Sequence, residues 1–469
     1  MQHGRSEEQS SQKFGVSHSA SKMHWAIQLW MVSFSLSVFA LPTGRDALVR
    51  PLEDPFYSAP KGFESTVPGT ILRWRNPPNP ISAFGFAPIN LAASYQLLYR
   101  STDSFGEPIA AASTILVPHN ADNTKLLSFQ AAEDAANPNC APSYAFQLDS
   151  ATDDELGLIM PQAELVLIIA ALDKGWVVTV PDHLGPNATF LANNLSGHVV
   201  LDNIRAALRS SAFSGISPKA TITLWGYSGG SLASGLAAEL RASYAPELNI
   251  AGAALGGTVP KIMPVFNTVN KGIYAGLLPA GMQGLSNEYP AIEKILYDHL
   301  VPAKKADFVK TKNLCIVEDL LTYSFQDFYR YITDANMLKD PEVTRVLGEN
   351  AMGQHVPDIP LFVYKSTNDD VSPVGDTDAL VSGYCAAGGK VEYYRDELSN
   401  HATMAVIGVP NALLWLKDRM NGVPARAGCK TQTALTGLLD PRTLAVLGID
   451  LIKVLLALLS APVGTFVIG

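Results

Sequence analysis

The chain has little charge. Only 16% of its 469 residues are Asp, Glu, Lys or Arg, and they leave a formal net charge of −9. No basic face or run of Lys and Arg stands out, so the electrostatic footprint of a nucleic-acid binder is missing. Internal repeats and low-complexity segments are lacking too. The four cysteines, Cys140, Cys315, Cys385 and Cys429, include no C-x-x-C pair, which argues against structural zinc. What is abundant is apolar: 47% of residues are hydrophobic, far from a disordered composition and enough for a large core. An acidic surface of low charge suits a secreted protein handling neutral substrates.

Two apolar runs sit at the ends. Residues 26–40 are uncharged and of signal-peptide length, too short for a comfortable span, and Val38-Phe39-Ala40 offers small residues at −3 and −1. Residues 1–40 are therefore expected to be a secretory signal, with Met23 as a second candidate start giving a shorter n-region. Residues 443–469 are also very apolar. However, Asp450 and Lys453 lie mid-segment and Gly448 and Pro462 interrupt it. The polar spacer of a lipid anchor is missing as well. The expectation is a helix packed on the body, with no integral membrane span. In a secreted chain the four cysteines read as disulfides, and Asn187 (Asn-Ala-Thr) and Asn194 (Asn-Leu-Ser) as glycosylation acceptors.

From about residue 120, β-rich runs alternate with helical ones. Residues 125–130, 176–180, 221–225, 250–255, 361–365 and 390–394 read as strands. Residues 161–174, 199–212, 231–241 and 404–420 read as helices. This rhythm predicts right-handed βαβ units and a mainly parallel sheet, an α/β fold. Between residues 259 and 360 it fails, and amphipathic helical patterns take over, as at 289–300 and 317–331. The expected organisation is a core over 41–258, a helical lid or cap insertion over 259–360, a second core part over 361–430, and a C-terminal flap or tail over 431–469.

Within TITLWGYSGGSL, Gly226-Tyr227-Ser228-Gly229-Gly230 fits G-x-S-x-G between an apolar strand and an alanine-rich helix. That is the setting of a nucleophile elbow: the serine sits on a strained turn, its neighbours must be small, and the Gly229 amide can donate to an oxyanion. A serine nucleophile needs a base and an orienting acid, which follow it in this fold in the order acid, then histidine. Of the histidines, only His401 lies beyond both the helical insertion and strand 361–365. Just past that strand, Asp369 and Asp370 both fit as the acid. A His-Gly-Gly-Gly oxyanion signature is missing, so the second donor is expected in the backbone around Glu133-Asp134, after strand 125–130. The Asp134 carboxylate reads as a group that fixes its loop.

Several further stretches join these: Glu133-Asp134-Ala135, Pro138-Asn139-Cys140-Ala141-Pro142-Ser143-Tyr144, Val180-Pro181-Asp182-His183, Ser196-Gly197-His198 with Leu201-Asp202, and Asn368-Asp369-Asp370-Val371-Ser372-Pro373. Together the chain resembles the fungal secretory lipases of the yeast lipase A type, over most of its mature length. The resemblance implies an α/β-hydrolase fold with a helical lid between the nucleophile and acid strands. It implies Ser228, Asp369 and His401 as the triad and the backbone amides of Asp134 and Gly229 as the oxyanion hole. It also implies disulfides Cys140–Cys315 and Cys385–Cys429, and a flap near residues 446–451.

The expected activity is a secreted serine carboxylic ester hydrolase, metal-free and without cofactor, in first place a triacylglycerol lipase meeting its ester at a lipid–water interface. The alternatives are an esterase that deacylates a fungal secondary metabolite of the trichothecene type, and a non-catalytic binding protein on the same scaffold. The apolar residues Ile273, Tyr274, Leu277 and Leu278 favour an acyl-binding surface in the insertion.

Overall fold

The computed structural model describes residues 48–83, 87–150 and 158–437. The expected signal at 26–40, the apolar tail at 443–469 and its flap stretch at 446–451 lie outside the described residues. Among those described, ten strands build one sheet. They are β1 Ile71–Arg75, β2 Ala93–Thr102, β3 Pro108–Val117, β4 Asp122–Gln130, β5 Trp176–Pro181, β6 Thr221–Tyr227, β7 Ile250–Gly256, β8 Leu361–Ser366, β9 Val391–Asp396 and β10 Lys430–Ala434. Their spatial order is β1-β2-β3-β5-β4-β6-β7-β8-β9-β10. The pairs β1–β2, β2–β3 and β3–β5 are antiparallel. From β5 through β10 every pair is parallel.

Among the described residues, six core helices longer than a single turn flank the sheet: α1 Ile159–Leu172, α2 Asn193–Arg209, α3 Gly229–Tyr244, and, after an insertion, α10 Val374–Ala386, α11 His401–Ile407 and α12 Val409–Met420. Two apolar cores form. One packs Val200, Ile204 and Leu236 of α2 and α3 on the sheet, with Leu380 of α10. The other packs Leu165, Ile169, Leu413 and Leu416 of α1 and α12 on the opposite face. Each such fully buried side chain contributes about 1.5–3 kcal/mol. The strands between the two layers are buried throughout, as in β5 and β8. This is why they read as continuous apolar runs in the sequence.

Between β7 and β8 the chain forms α4 Ile262–Val269, α5 Leu277–Glu288, α6 Pro290–His299, α7 Pro302–Phe308, α8 Ile316–Tyr323 and α9 Pro341–Glu349. These helices share a small aromatic core in which Phe328 stacks on Tyr331 with centroids 4.5 Å apart. Several ties join this layer to the rest of the fold. Cys315, at the start of α8, is bonded to Cys140. Buried Glu239 of α3 accepts from the amides of Gly353 and His355 at 2.7 and 2.9 Å. The Asn193 amide group donates to Asn350 O at 2.7 Å. A second disulfide joins Cys385 of α10 to Cys429, just before β10.

Four differences from the sequence reading have local causes. Strands β1 to β3 precede the first strand that was expected. β3 (PIAAASTILV) is rich in alanine, a poor strand former, and is held by its long antiparallel pairing with β2 rather than by propensity. The helical pattern at 317–331 stops at Tyr323, because Phe325 takes φ +62°, and resumes only as a short 3₁₀ turn at Phe328–Arg330. The helix expected at 404–420 begins at His401 and is broken at Gly408, where Pro410 at the start of α12 has no N–H to carry the ladder on. Finally, β10 lies in the segment expected as tail, so the sheet runs past residue 430 to Ala434.

Candidate active site

β6 ends at Tyr227 and α3 begins at Gly229, which leaves Ser228 on the turn between them at φ +51°, ψ −119°. Such backbone costs about 1–3 kcal/mol for a residue with a side chain, and persists only where its surroundings over-determine it. Close approach of strand and helix does this here. A methyl at Gly226 would overlap the Gly230 carbonyl, and one at Gly230 would overlap the carbonyl of Gln130 on β4.

His401 opens α11. Its helix is capped by Asn400, whose carboxamide accepts from the Thr403 amide at 2.9 Å while Thr403 Oγ1 accepts from the Asn400 amide at 2.9 Å. The His401 backbone is held from two sides: Tyr227 Oη donates to its carbonyl at 2.5 Å, and Asp370 Oδ1 accepts from its amide at 3.1 Å. The ring then bridges two groups. Nδ1 lies 2.8 Å from Asp369 Oδ2 and Nε2 lies 2.8 Å from Ser228 Oγ. An ionised carboxylate only accepts, so Nδ1 carries the proton and Nε2 is free to accept from the serine hydroxyl.

The two candidate aspartates thus separate. Asp369 faces the imidazole, while Asp370 binds only the main chain of His401. Asp369 Oδ1 accepts from the amides of Val371 and Ser372 at 3.0 and 2.7 Å. Burial raises its pKa, but the hydrogen bond and charge of His401, the Lys365 ammonium and the Ser372 amide outweigh it and hold Asp369 at about 2. Two side chains of this arrangement were not anticipated from the sequence. They are Tyr227, which reads there only as the variable position of G-x-S-x-G, and Lys365. A lysine inside the apolar run LFVYK was the available signal, since a buried charge requires a partner.

Ser228, Gly229 and Asp134 share the wall of one cavity of about 110 Å³. Asp134 sits just beyond β4 at φ +41°, a second strained non-glycine residue. Its side chain packs so closely on Gly229 that a methyl there would overlap the carboxylate. Asp134 Oδ1 finds no hydrogen-bond partner, and burial, against a hydrogen bond from the residue's own backbone amide, pushes the carboxyl up to about 7. Other groups hold this region. Glu164 of α1 accepts from the Ala132 amide at 2.7 Å, and His183 Nε2 pairs with Ala131 O at 2.8 Å. Burial raises Glu164 to about 8, and burial lowers His183 to about 4, so this imidazole is neutral.

The rest of the cavity wall is apolar and comes largely from the insertion, with Ile262, Phe266, Leu278, Ile295 and Met337 among its side chains. Of the four apolar residues picked out in the sequence, Leu277 and Leu278 line the cavity, whereas Ile273 is 53% exposed on the outside. Among the described residues no group of three or more His, Cys, Asp or Glu could hold a metal ion.

A serine on a strained strand-to-helix turn, at the C-terminal edge of a mainly parallel sheet, with acid and histidine on the loops after later strands, defines an α/β-hydrolase. The comparisons narrow the class. The family described as secretory lipase matches residues 152–428. Lipase A of Arthroderma benhamiae is 50% identical over 432 residues, 92% of either chain. Lipase 6 of Candida albicans is 39% identical over 410 residues, 84% of this chain and 87% of its own. The X-ray structure of Candida antarctica lipase A superposes with a TM-score of 0.77 at 28% identity, covering 87% of this chain and 95% of that one. This chain belongs to the secretory lipase family, and with it to the carboxylic ester hydrolases.

Proposed function

We propose that the chain is a secreted triacylglycerol lipase that works through an acyl-enzyme on Ser228. The observation carrying this reading is the Ser228–His401–Asp369 line opening onto an apolar cavity. His401 takes the hydroxyl proton as Ser228 Oγ attacks the ester carbonyl. Asp369 keeps the ring in the required tautomer and stabilises the imidazolium that forms. The backbone amides of Asp134 and Gly229 receive the oxyanion, and the positive end of α3 supports it. His401 then returns the proton to the leaving alcohol, and water, activated by the same imidazole, releases the acid.

The cavity wall has almost no polar groups to recognise a decorated small molecule, and suits an alkyl chain. Helices α4 to α9 act as the lid. Their outer surface exposes Ile273, Leu321 and Phe325 at 53, 65 and 70%, which suits a lipid–water interface. Of the two glycosylation acceptors, Asn187 is exposed and is the expected site. Asn194 donates its side-chain amide to Glu349 O at 3.1 Å, so a glycan there would break a tie to the lid. Among the described residues no helix is long and apolar enough to cross a membrane.

The test is the acyl-length profile of p-nitrophenyl ester hydrolysis by the wild type and by Ser228→Ala. Long chains should be preferred, and Ser228→Ala should lose at least about a thousandfold in kcat. Preference for acetate would overturn the lipase reading, and equal rates for the two proteins would overturn the nucleophile.

A further inference from the structure

β8 carries a charge inside an otherwise apolar strand. Lys365 is wholly buried, and its ammonium is met by two acceptors, Asp369 Oδ2 at 2.9 Å and Thr258 O at 2.8 Å. The Thr258 carbonyl also receives Ser372 Oγ and Thr377 Oγ1, each at 3.3 Å, so it is fixed from the loop after β8 and from α10. Asp369 Oδ2 is the oxygen that faces His401 Nδ1. One carboxylate oxygen therefore serves an imidazole and an ammonium together.

We infer that Lys365 is a positioning residue for the triad, orienting the Asp369 carboxylate and, by sharing its oxygen, weakening its hold on the imidazolium. The inference rests on the triad reading above. Its physics is a balance of charge. A carboxylate alone behind the imidazole favours protonation of the ring. A fixed positive charge on the same oxygen opposes it, because a nearby like charge disfavours the charged form of a group. Less help for the imidazolium in the transition state is exchanged for a ring that stays unprotonated, and so able to act as a base, further into acid.

The groups around this cluster do not duplicate the effect. Burial pulls Lys365 down from the ordinary lysine value, but Asp369, then Asp376 and Asp378 of α10, oppose that fall. Asp376 lies 3.6 Å from Lys261, and Asp378 accepts from Tyr393 Oη at 2.9 Å and lies 3.7 Å from Arg395. Tyr227 on β6, Tyr274 in the insertion and Tyr393 on β9 are all raised, first by burial, and are neutral phenols. Asp370 touches His401 through the main chain.

The experiment is the pH dependence of kcat/KM on a soluble ester for wild type, Lys365→Met, which keeps length and removes charge, and Lys365→Arg, which keeps charge. In Lys365→Met the acid limb should move toward neutral pH by about one unit, and Lys365→Arg should restore it. A role limited to packing would lower kcat or the melting temperature without moving the limb. A folded Lys365→Met with an unmoved limb overturns the inference. If neither variant folds, ¹⁵N-lysine spectra of the wild type decide. A protected ammonium signal that shifts when a phosphonate occupies Ser228 is expected, and its absence overturns the inference. Ser228→Ala separates the two readings. If it is inactive while the limb stays put, the lysine role alone fails; if it is active, the triad fails first.

Discussion

Two loops bring a buried carboxylate up to Ser228, and they treat it in opposite ways. After β8, Asp369 receives His401, Lys365 and two backbone amides, and its pKa falls to about 2. After β4, Asp134 has an oxygen with no partner, and burial outweighs the hydrogen bond from its own backbone amide and carries it to about 7. Burial raises both; the donors around each decide the outcome. One loop is built to keep a charge beside the imidazole. The other packs its carboxylate on Gly229, beside the serine, with one oxygen unpaired.

The sharpest way to break this comparison is to remove the charge that the first loop maintains. Asp369→Asn should lower kcat by about 10³–10⁴-fold, because an amide does not hold the ring in its tautomer. Asp370→Asn, which touches only the His401 amide, should cost less than about tenfold. Equal losses in steady-state kinetics would reverse the assignment of the two aspartates. Next in size, Gly229→Ala forces a methyl into the Asp134 carboxylate and should displace the second loop. An activity loss of about 10²-fold is expected, the scale of one misplaced oxyanion donor, with the melting temperature only slightly lower. Near wild-type turnover would show that the loop yields freely.

The smallest effect is on stability. The folded-state pKa of Asp134 lies above its ordinary value of about 4, so the folded protein binds the proton more tightly than the unfolded one. Its contribution is present below about pH 4 and is lost as pH rises through about 7, at no more than about 1.4 kcal/mol per pH unit. Glu164, near 8, and Asp182, near 6, both raised first by burial, act in the same direction, while His183, near 4, acts in the opposite one. Melting temperature should therefore fall from weakly acidic to weakly alkaline pH, and Asp134→Asn should flatten part of that fall. A profile in Asp134→Asn identical to the wild type would show that Asp134 is already ionised in the fold.

Much of the site was legible because catalytic geometry leaves local marks. An elbow needs small residues around Ser228, and chain order left His401 and a pair of aspartates to serve it. Spacing left Asp369 and Asp370 open, since neighbours in a loop differ by direction and not by type; the family resemblance pointed to Asp369, and it is Asp369 that faces the imidazole. The role of Lys365 was hidden for a related reason. Its partners, Thr258 and Asp369, come from loops after β7 and β8, and only the pairing of those strands brings them together. The first three strands escaped because β3 is held by its neighbour rather than by its own residues.

By itself the sequence determined the alternation of strand and helix, the interruption between β7 and β8, and the small-residue turn that carries Ser228. These follow from periodicity, side-chain volume and backbone freedom, which act over a few residues. The tertiary structure alone decided what each aspartate of the pair holds, which apolar residues of the insertion line the cavity, and the opposite fates of Asp134 and Asp369. Those depend on which donors and how much water reach a given atom, and both are set by segments far apart in the chain.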